Sequence, residues 1–305
     1  YAHEGQDVKF RPDQWETIDT LINHNKRLLL VQRTGWGKSY VYFIATRILR
    51  NRDLGPTLII SPLLALMRNQ IDMARRFDVN ALSINSTNQQ DWPELIKKIT
   101  KNNEVDALLI SPERIANEEF YEKVLMPIAS SIGLIVIDEV HCISDWGHDF
   151  RPDYKRLKNV IKQIPVNIPI LCTTATANDR VVEDIESQIE GITIVRGDLI
   201  RESLSLQTLR LPSHAARLAW ILQNISNLPY SGIIYTSTKR DANLVASWLG
   251  QNNMDAKAYH ADLGNDDRES LEEQLLNNKL KALVATTALG MGFDAFCRKF
   301  QLDPF

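Results

Sequence analysis

The chain has 305 residues, of which 44% are hydrophobic and 24% are charged, and its formal net charge is −3. This length exceeds what one hydrophobic core usually holds, and the composition excludes a disordered or fibrous protein. The near-neutral charge excludes a surface that is basic throughout, so any contact with nucleic acid would be confined to a local positive groove. We therefore expect a folded protein of two domains.

Cysteine spacing and hydropathy exclude two further classes of protein. Cys142, Cys172 and Cys297 are too widely spaced for a disulfide framework or a C-x-x-C zinc pair, so we expect buried thiols in a reducing compartment. No apolar run reaches the roughly 18 residues that a membrane span needs, and no membrane partner is expected. Because the sequence opens at Tyr1 rather than at a methionine, we expect a fragment or a processed form.

Short apolar runs alternate with longer amphipathic stretches along the first two thirds of the chain. The stretches 38–50 and 63–76 carry apolar residues at helical spacing. The runs predict strands at Arg27–Gln32, Thr57–Ser61, Ala107–Ser111, Leu134–Asp138 and Ile168–Thr173. Continuous apolar strands separated by helices are typical of a parallel sheet that is covered on both faces.

The alternation lapses between Gly197 and Ser213 and then resumes. Strands are predicted at 232–236, 256–260 and 281–286, with helices at 240–249 and 266–277. We therefore predict an α/β protein with two domains, residues 1–205 and 206–305, each a mainly parallel sheet flanked by helices. Two such lobes facing each other would form a ligand-binding cleft.

The segment Gln32–Ser39 (QRTGWGKS) lies between a predicted strand and a predicted helix. Backbone N–H groups of such a turn, together with the helix N-terminus, bind polyphosphate. Lys38 would supply charge to the β- and γ-phosphates, and the Ser39 hydroxyl suits Mg²⁺. The nucleotide-binding residues predicted here are Thr34, Gly35, Trp36, Gly37, Lys38 and Ser39. Gln32 stands where the strict phosphate-loop pattern has its first glycine, and the alternative is a glycine turn that happens to precede a lysine.

The segment Leu134–His141 (LIVIDEVH) delivers two adjacent carboxylates to the end of a predicted strand. Asp138 is predicted to hold Mg²⁺, directly or through water, and Glu139 to activate the attacking water. A solvated acidic turn is the alternative, which the upstream phosphate loop disfavours. Lys38, Asp138 and Glu139 are therefore the predicted catalytic residues of an enzyme that hydrolyses a nucleoside triphosphate.

Three further segments carry a resemblance to a known family. They are His141–Tyr154 (HCISDWGHDFRPDY), Phe10–Gln14 (FRPDQ) and Ser61–Gln70 (SPLLALMRNQ). Shorter matches follow in the same order at Ser111–Ile115, Thr174–Ala177, Gly232–Tyr235, Tyr259–Ala261 and Val284–Asp294. Together they resemble the RecQ family of DNA helicases, although Asp145 stands where that family usually has glutamine.

The resemblance implies two tandem RecA-like lobes that form an ATP-dependent DNA helicase motor with Mg²⁺. It also implies 3′ to 5′ movement on single-stranded and forked DNA, a monomeric motor, roles in DNA repair and recombination, and a cytoplasmic or, in a eukaryote, nuclear location. Gln14 offers the donor and the acceptor needed to read adenine, and Arg11 can lie flat on the base. A surface arginine is the alternative for Arg11.

The resemblance also assigns residues that contact DNA or couple it to hydrolysis. The loop after the carboxylates would sense single strands through base stacking and backbone contacts and report to Glu139. The residues implied in contact or coupling are His141, Trp146, Phe150, Arg151, Thr174, Thr176, Gly290 and Gly292. The alternatives are core packing for the two aromatic residues and ordinary strand-end hydroxyls for the two threonines.

The last segment, Ala295–Phe305, does not match the strand and the Q-x-x-G-R-x-x-R helix that follow in the family. The resemblance therefore implies a second lobe that is incomplete at its C-terminus, through truncation or a shifted reading frame after Asp294, with an exposed sheet edge and little ATP turnover. A remnant that binds nucleotide and single strands without efficient turnover is the alternative function. An RNA helicase or a double-strand translocase is a further alternative, which the aromatic loop disfavours.

Replacement of Trp146 tests the role assigned to this loop. Trp146→Ala should leave ATP binding intact and weaken the DNA stimulation of hydrolysis, because stacking of a base on an aromatic ring contributes about 1–3 kcal/mol. The measurement is phosphate release against single-stranded DNA concentration. A lower unfolding temperature with unchanged DNA stimulation would instead identify Trp146 as a core residue.

Overall fold

A computed structural model describes residues 9–62, 64–84, 91–100, 104–143, 161, 167–198, 207–289 and 298–301. The chain divides into two compact units, Tyr1–Ser203 and Leu204–Phe305. Among the described residues, no helix has the length and apolar character that crossing a membrane requires.

The first unit contains a seven-stranded sheet in which every pairing is parallel. Its order is β3-β4-β2-β5-β6-β1-β7. The strands are β1 (Arg27–Val31), β2 (Thr57–Ile60), β3 (Ala81–Ile84), β4 (Ala107–Ile110), β5 (Leu134–Ile137), β6 (Ile170–Thr174) and β7 (Ile192–Arg196). The predicted parallel α/β sheet is confirmed.

Helices cover both faces of this sheet. They are α1 (Gln14–His24), α2 (Lys38–Arg50), α3 (Leu64–Arg75), α4 (Trp92–Thr100), α5 (Pro112–Ala116), α6 (Glu118–Phe120), α7 (Met126–Ala129) and α8 (Asp179–Gln188). A π-helical turn at Tyr121–Leu125 and a 3₁₀ turn at Val140–Ile143 complete the unit as described.

Alternate strand residues pack into two separate cores. Val136 and Leu171 join the α2-side core, which contains residues of α1, α2 and α3. Ile137 and Cys172 join the α4-side core, which contains residues of α4 to α8. Because both faces are buried, the central strands are continuously apolar instead of alternating between apolar and polar residues.

The second unit contains a four-stranded parallel sheet of order β11-β8-β10-β9. The strands are β8 (Gly232–Tyr235), β9 (Ala256–Tyr259), β10 (Ala282–Ala285) and β11 (Arg298–Gln301). The helices are α9 (His214–Ile225), α10 (Lys239–Gln251) and α11 (Asn265–Leu276), and a 3₁₀ turn follows β10 at Thr287–Leu289. Ser213 and Thr238 cap α9 and α10, since each hydroxyl accepts a hydrogen bond from a first-turn N–H.

The structure corrects one expectation for the second unit. The segment Ala295–Phe305 was expected to supply no strand after β10, but Arg298–Gln301 pairs in parallel with β8 and becomes an edge strand of the sheet. The physical reason is that an edge strand presents unpaired N–H and C=O groups, and backbone pairing satisfies them with little demand on the side chains.

Two glycines bring the starts of β2 and β5 into close contact. A Cβ atom on Gly55 would lie 1.4 Å from the carbonyl oxygen of Ser131, and one on Gly133 would lie 2.5 Å from the carbonyl oxygen of Gly55. The N–H of Gly133 donates to the carbonyl of Pro56 at 2.9 Å. Both positions therefore require glycine for steric reasons.

Substitution of Gly55 tests this close approach. Gly55→Ala should lower the free energy of unfolding by about 2 kcal/mol or more, because backbone atoms would have to separate. Gly250→Ala is the control: it lies in α10 with no neighbouring atom within 4 Å of an added Cβ, and should stabilise by up to about 1 kcal/mol. Denaturant unfolding measures both effects. An unchanged midpoint for Gly55→Ala would show that the 131–133 turn moves aside.

Candidate active site

A row of polar residues lies at the carboxyl end of the first sheet. In-register pairing of β2, β5 and β6 brings Ser61, Asp138 and Thr173 onto adjacent strands. Each stands two positions after a residue of the α2-side core, so all three belong to that face of the sheet. Gln32 continues the row after β1, and its N–H donates to the carbonyl of Thr174 at 3.1 Å. All four side chains are buried.

The segment between β1 and α2 forms a tight turn around the Lys38 ammonium. Gly35 and Gly37 have φ angles of 77° and 99°, a region that glycine adopts without strain. Lys38 Nζ donates to the carbonyl of Gln32 at 2.9 Å. Burial lowers the pKa of Lys38, and the nearby carboxylates of Glu139 and Asp138 oppose that effect. The predicted phosphate-binding lysine is therefore electrostatically coupled to both predicted carboxylates.

Arg11 and Gln14 hold the phosphate-binding turn from the side. The buried Gln14 amide donates from Nε2 to the carbonyl of Trp36 at 3.0 Å, and its Oε1 accepts from the Arg11 N–H at 2.9 Å. The Arg11 guanidinium donates to the carbonyl of Gly35. A Cβ atom on Gly37 would lie 2.7 Å from Gln14 Nε2, so this turn and the Gln14 amide are packed directly together. Adenine recognition by Arg11 and Gln14 stays a prediction.

Asp138 is a buried carboxylate surrounded by hydrogen-bond donors. Its Oδ1 accepts from the Thr173 hydroxyl and from the Glu139 N–H, the latter at 3.1 Å. Its Oδ2 accepts from Gln70 Nε2 at 2.8 Å. Burial is the main cause that raises the pKa of Asp138 from 3.8 to about 6; Glu139 raises it further, while Thr173 and Lys38 oppose the shift. The carboxylate therefore retains hydrogen-bonding partners but lacks solvation.

Glu139 faces a different set of partners. Its backbone has a φ of 49°, and its Oε2 lies 3.2 Å from Nδ1 of the buried His141. The same nitrogen lies 3.1 Å from Oγ1 of Thr174, whose hydroxyl donates to the carbonyl of Thr176 at 3.0 Å. The Glu139 carboxylate can only accept a hydrogen bond, and the Thr174 hydroxyl already donates its proton to Thr176. Both groups can therefore only accept from His141, so we assign the imidazole proton to Nδ1.

The structure thus brings together most of the residues singled out in the sequence. Lys38, Asp138 and Glu139 form one site, and His141, Thr174 and Thr176 adjoin it. Trp146, Phe150, Arg151, Gly290 and Gly292 lie outside the described residues. Within the described ranges, no group of three or more His, Cys, Asp or Glu side chains is arranged to hold a metal ion.

Three site residues were missed in the sequence. Thr173 directly precedes the threonine that was singled out, and counting alternate residues from Leu171 would have placed it on the Asp138 face. Gln70 ends the segment Ser61–Gln70, which was noted only for its family resemblance, yet it hydrogen bonds to Asp138, 68 positions away. Tyr42 accepts a hydrogen bond from Gln70. It lies in α2, where helical periodicity predicts only a buried core residue.

Two family profiles match the chain. The profile described as DEAD/DEAH box helicase covers residues 11–185, and the helicase conserved C-terminal domain covers residues 216–299. The chain belongs to the DEAD/DEAH box helicases.

This chain is similar to RecQ proteins over nearly its whole sequence. It is 34% identical over 305 residues to the ATP-dependent DNA helicase RecQ of Bacillus subtilis, covering 99% of this chain and 50% of the relative. It is 33% identical over 295 residues to the ATP-dependent DNA helicase Q1 of Rattus norvegicus, covering 94% and 46%. The resemblance to RecQ helicases is confirmed, and the chain spans about half the length of these relatives.

Solved structures support the assignment of the helicase fold. Saccharomyces cerevisiae Dbp5 bound to RNA and ADP BeF3 is 16% identical, with a TM-score of 0.73 over 92% of this chain and 71% of that chain. Mycobacterium smegmatis helicase Lhr bound to ssDNA and AMP-PNP is 18% identical, with a TM-score of 0.67 over 95% and 41%. At these identities the likeness shows the fold alone.

The raised pKa of Asp138 predicts a pH effect on stability. Because the folded protein holds this proton more tightly than the unfolded chain, stability should fall as pH rises from about 4 through 6. Asp138→Asn should remove this fall, which in the unsubstituted protein should be on the order of 1–3 kcal/mol between pH 4 and 7.5, because an amide does not titrate in this range.

The measurement is thermal unfolding between pH 4 and 8 in EDTA, so that no divalent cation contributes. Asp72→Asn, which changes an exposed carboxylate of the same unit, is the control and should leave the profile unchanged. A variant at Asp138 that follows the wild-type profile would show that the carboxyl group is solvated in the folded protein.

Proposed function

We infer that this chain is the motor core of an ATP-dependent DNA helicase that couples ATP hydrolysis to 3′ to 5′ translocation on single-stranded DNA and to unwinding of forked duplexes. The observation that carries this proposal is the buried Asp138 carboxylate, which lies beside Glu139 and is electrostatically coupled to Lys38 at the end of a parallel sheet. Such an arrangement fits phosphoryl transfer, in which catalysis depends on positioning and on charge stabilisation.

The residues present fit ATP with Mg²⁺. The turn at 34–37 opens onto the N-terminus of α2, where backbone N–H groups attract phosphate. Ser39 and Asp138 are hard oxygen donors, and Mg²⁺ is commonly held by one or two protein oxygens together with substrate phosphates. Bound there, Mg²⁺ would neutralise phosphate charge. Arg11 and Gln14 would bind the adenine by moving part of their hydrogen bonding from the turn to the base.

Glu139 is the proposed general base. It is more exposed than Asp138, and His141 donates to one carboxylate oxygen, which leaves the other oxygen to accept a proton from the attacking water. Lys38 would stabilise the negative charge that develops on the transferred phosphoryl group. Asp138 remains an acceptor and takes no proton in this scheme.

Coupling to DNA is proposed to run through His141. Its Nδ1 contacts both Glu139 and Thr174, and Thr174 in turn contacts Thr176. Trp146, Phe150 and Arg151 follow shortly after His141 in the sequence, and we propose that they stack on and pair with single-stranded DNA. Base occupancy there would shift His141 and so the orientation of Glu139. A monomer suffices for this scheme.

Two substitutions test the assignment of roles. Glu139→Gln should retain Mg–ATP binding but lower DNA-stimulated hydrolysis by about 10²–10⁴-fold, because the amide cannot take a proton from water. Lys38→Ala should instead lose tight ATP binding, because a fixed positive charge beside the phosphates is removed. Nucleotide titration and phosphate release with single-stranded DNA separate the two effects. Near-normal turnover by Glu139→Gln, or unchanged ATP affinity of Lys38→Ala, would refute the corresponding role.

A further inference from the structure

A chain of buried side chains joins the two proposed Mg²⁺ ligands inside the protein. The Tyr42 hydroxyl lies within hydrogen-bonding reach of the Ser39 side chain. Gln70 Nε2 lies 2.9 Å from the Tyr42 hydroxyl oxygen and 2.8 Å from Asp138 Oδ2, and it donates to both. Ser39, Tyr42, Gln70 and Asp138 therefore form one continuous hydrogen-bonded path, which we name the Tyr42–Gln70 bridge.

The two central residues of this bridge are fully enclosed. Tyr42 is 0% exposed and Gln70 is 2% exposed. Burying a hydroxyl and an amide costs free energy unless their hydrogen bonds are made, and an apolar pair of the same size would avoid that cost. The polar pair therefore has a role beyond packing, because its hydrogen bonds fix the rotation of the Ser39 hydroxyl and the Asp138 carboxylate.

The direction of the hydrogen bonds is also defined. An ionised carboxylate only accepts hydrogen bonds, so the donation from Gln70 Nε2 favours the charged form of Asp138. Both N–H bonds of the Gln70 amide are used, one toward Tyr42 and one toward Asp138. Rotation of the amide would break both bonds at once, and the Asp138 carboxylate is held in one orientation for that reason.

We propose that Tyr42 and Gln70 are positioning residues that hold Ser39 and Asp138 at the separation and orientation in which both bind Mg²⁺ of Mg–ATP. This inference rests on the proposed function. Mg²⁺ demands near-ideal octahedral geometry with short oxygen distances, so small rotations of either ligand weaken its binding. Hydrogen-bond partners of metal ligands commonly change metal affinity by 10–100-fold when they are removed.

The bridge also connects three secondary-structure elements, α2, α3 and β5, to the Asp138 carboxylate. Ser39 and Tyr42 belong to α2, Gln70 belongs to α3, and Asp138 follows β5. A displacement of α3 relative to the sheet would therefore act on Asp138 through Gln70. A purely structural role would predict instead that loss of the bridge lowers stability without changing the dependence of nucleotide binding on Mg²⁺.

Equilibrium binding of a fluorescent ATP analogue tests the proposal without reference to turnover. Mg²⁺ is titrated against the full chain at fixed nucleotide, and affinity is also measured in EDTA. Tyr42→Phe removes only the hydroxyl, and Gln70→Met keeps the side-chain length while removing the amide. Tyr40→Phe, a half-exposed tyrosine of the same helix that packs on Phe77, is the matched control.

Tyr42→Phe and Gln70→Met should each raise the Mg²⁺ concentration for half-maximal binding by roughly tenfold or more, with affinity in EDTA unchanged. The double variant should lose less than the sum of the two effects, because both act through one path. Tyr40→Phe should match the wild type. Unchanged Mg²⁺ dependence of both variants, or an equal loss in EDTA, would overturn the proposal. Absence of Mg²⁺-dependent nucleotide binding by the wild type would overturn the proposed function and the inference with it.

Discussion

The buried carboxylate of Asp138 is the constraint on which the site depends. Removing a charged carboxylate from water costs several kcal/mol unless hydrogen bonds and opposite charge compensate. The compensation comes from separate parts of the chain: the Thr173 hydroxyl, the Gln70 amide, the Glu139 N–H and the Lys38 ammonium. Because none of these groups is local except Glu139, the carboxylate is compensated only when the whole sheet and its α2-side helices are assembled.

Strand register decides whether these groups meet. Thr173 and Thr174 are neighbours on β6, but alternation sends Thr173 toward Asp138 and Thr174 toward His141, on opposite faces of the sheet. A slip of one residue in the pairing of β5 with β6 would exchange these faces and leave a buried carboxylate without its hydroxyl donor. The same alternation that separates the two apolar cores therefore also separates the partners of Asp138 from those of Glu139.

The features that depend on local sequence pattern could be predicted from the sequence. The contacts that depend on tertiary pairing could not. The apolar runs, the glycine turn before Lys38 and the Asp138–Glu139 pair are contiguous signals, and they gave the parallel sheet and the centre of the site. Gln70 carries no local signal for its partner, because its bond spans 68 positions. The pairing of Arg298–Gln301 with β8 was missed for a related reason, since backbone groups on a distant strand supply it.

The two carboxylates have different side-chain hydrogen-bond partners. Asp138 is held by Gln70 of α3 and Thr173 of β6, whereas Glu139 is held by His141, which also contacts Thr174 of β6. A movement of α3 would change the geometry of Asp138, the proposed Mg²⁺ ligand, and a movement of the segment after His141 would change the orientation of Glu139, the proposed base. A motor needs nucleotide binding and hydrolysis to respond to different events, since tight binding without a correctly oriented base produces no turnover. The opposite-facing partners of Asp138 and Glu139 would favour such separate responses, while Lys38 acts on both carboxylates.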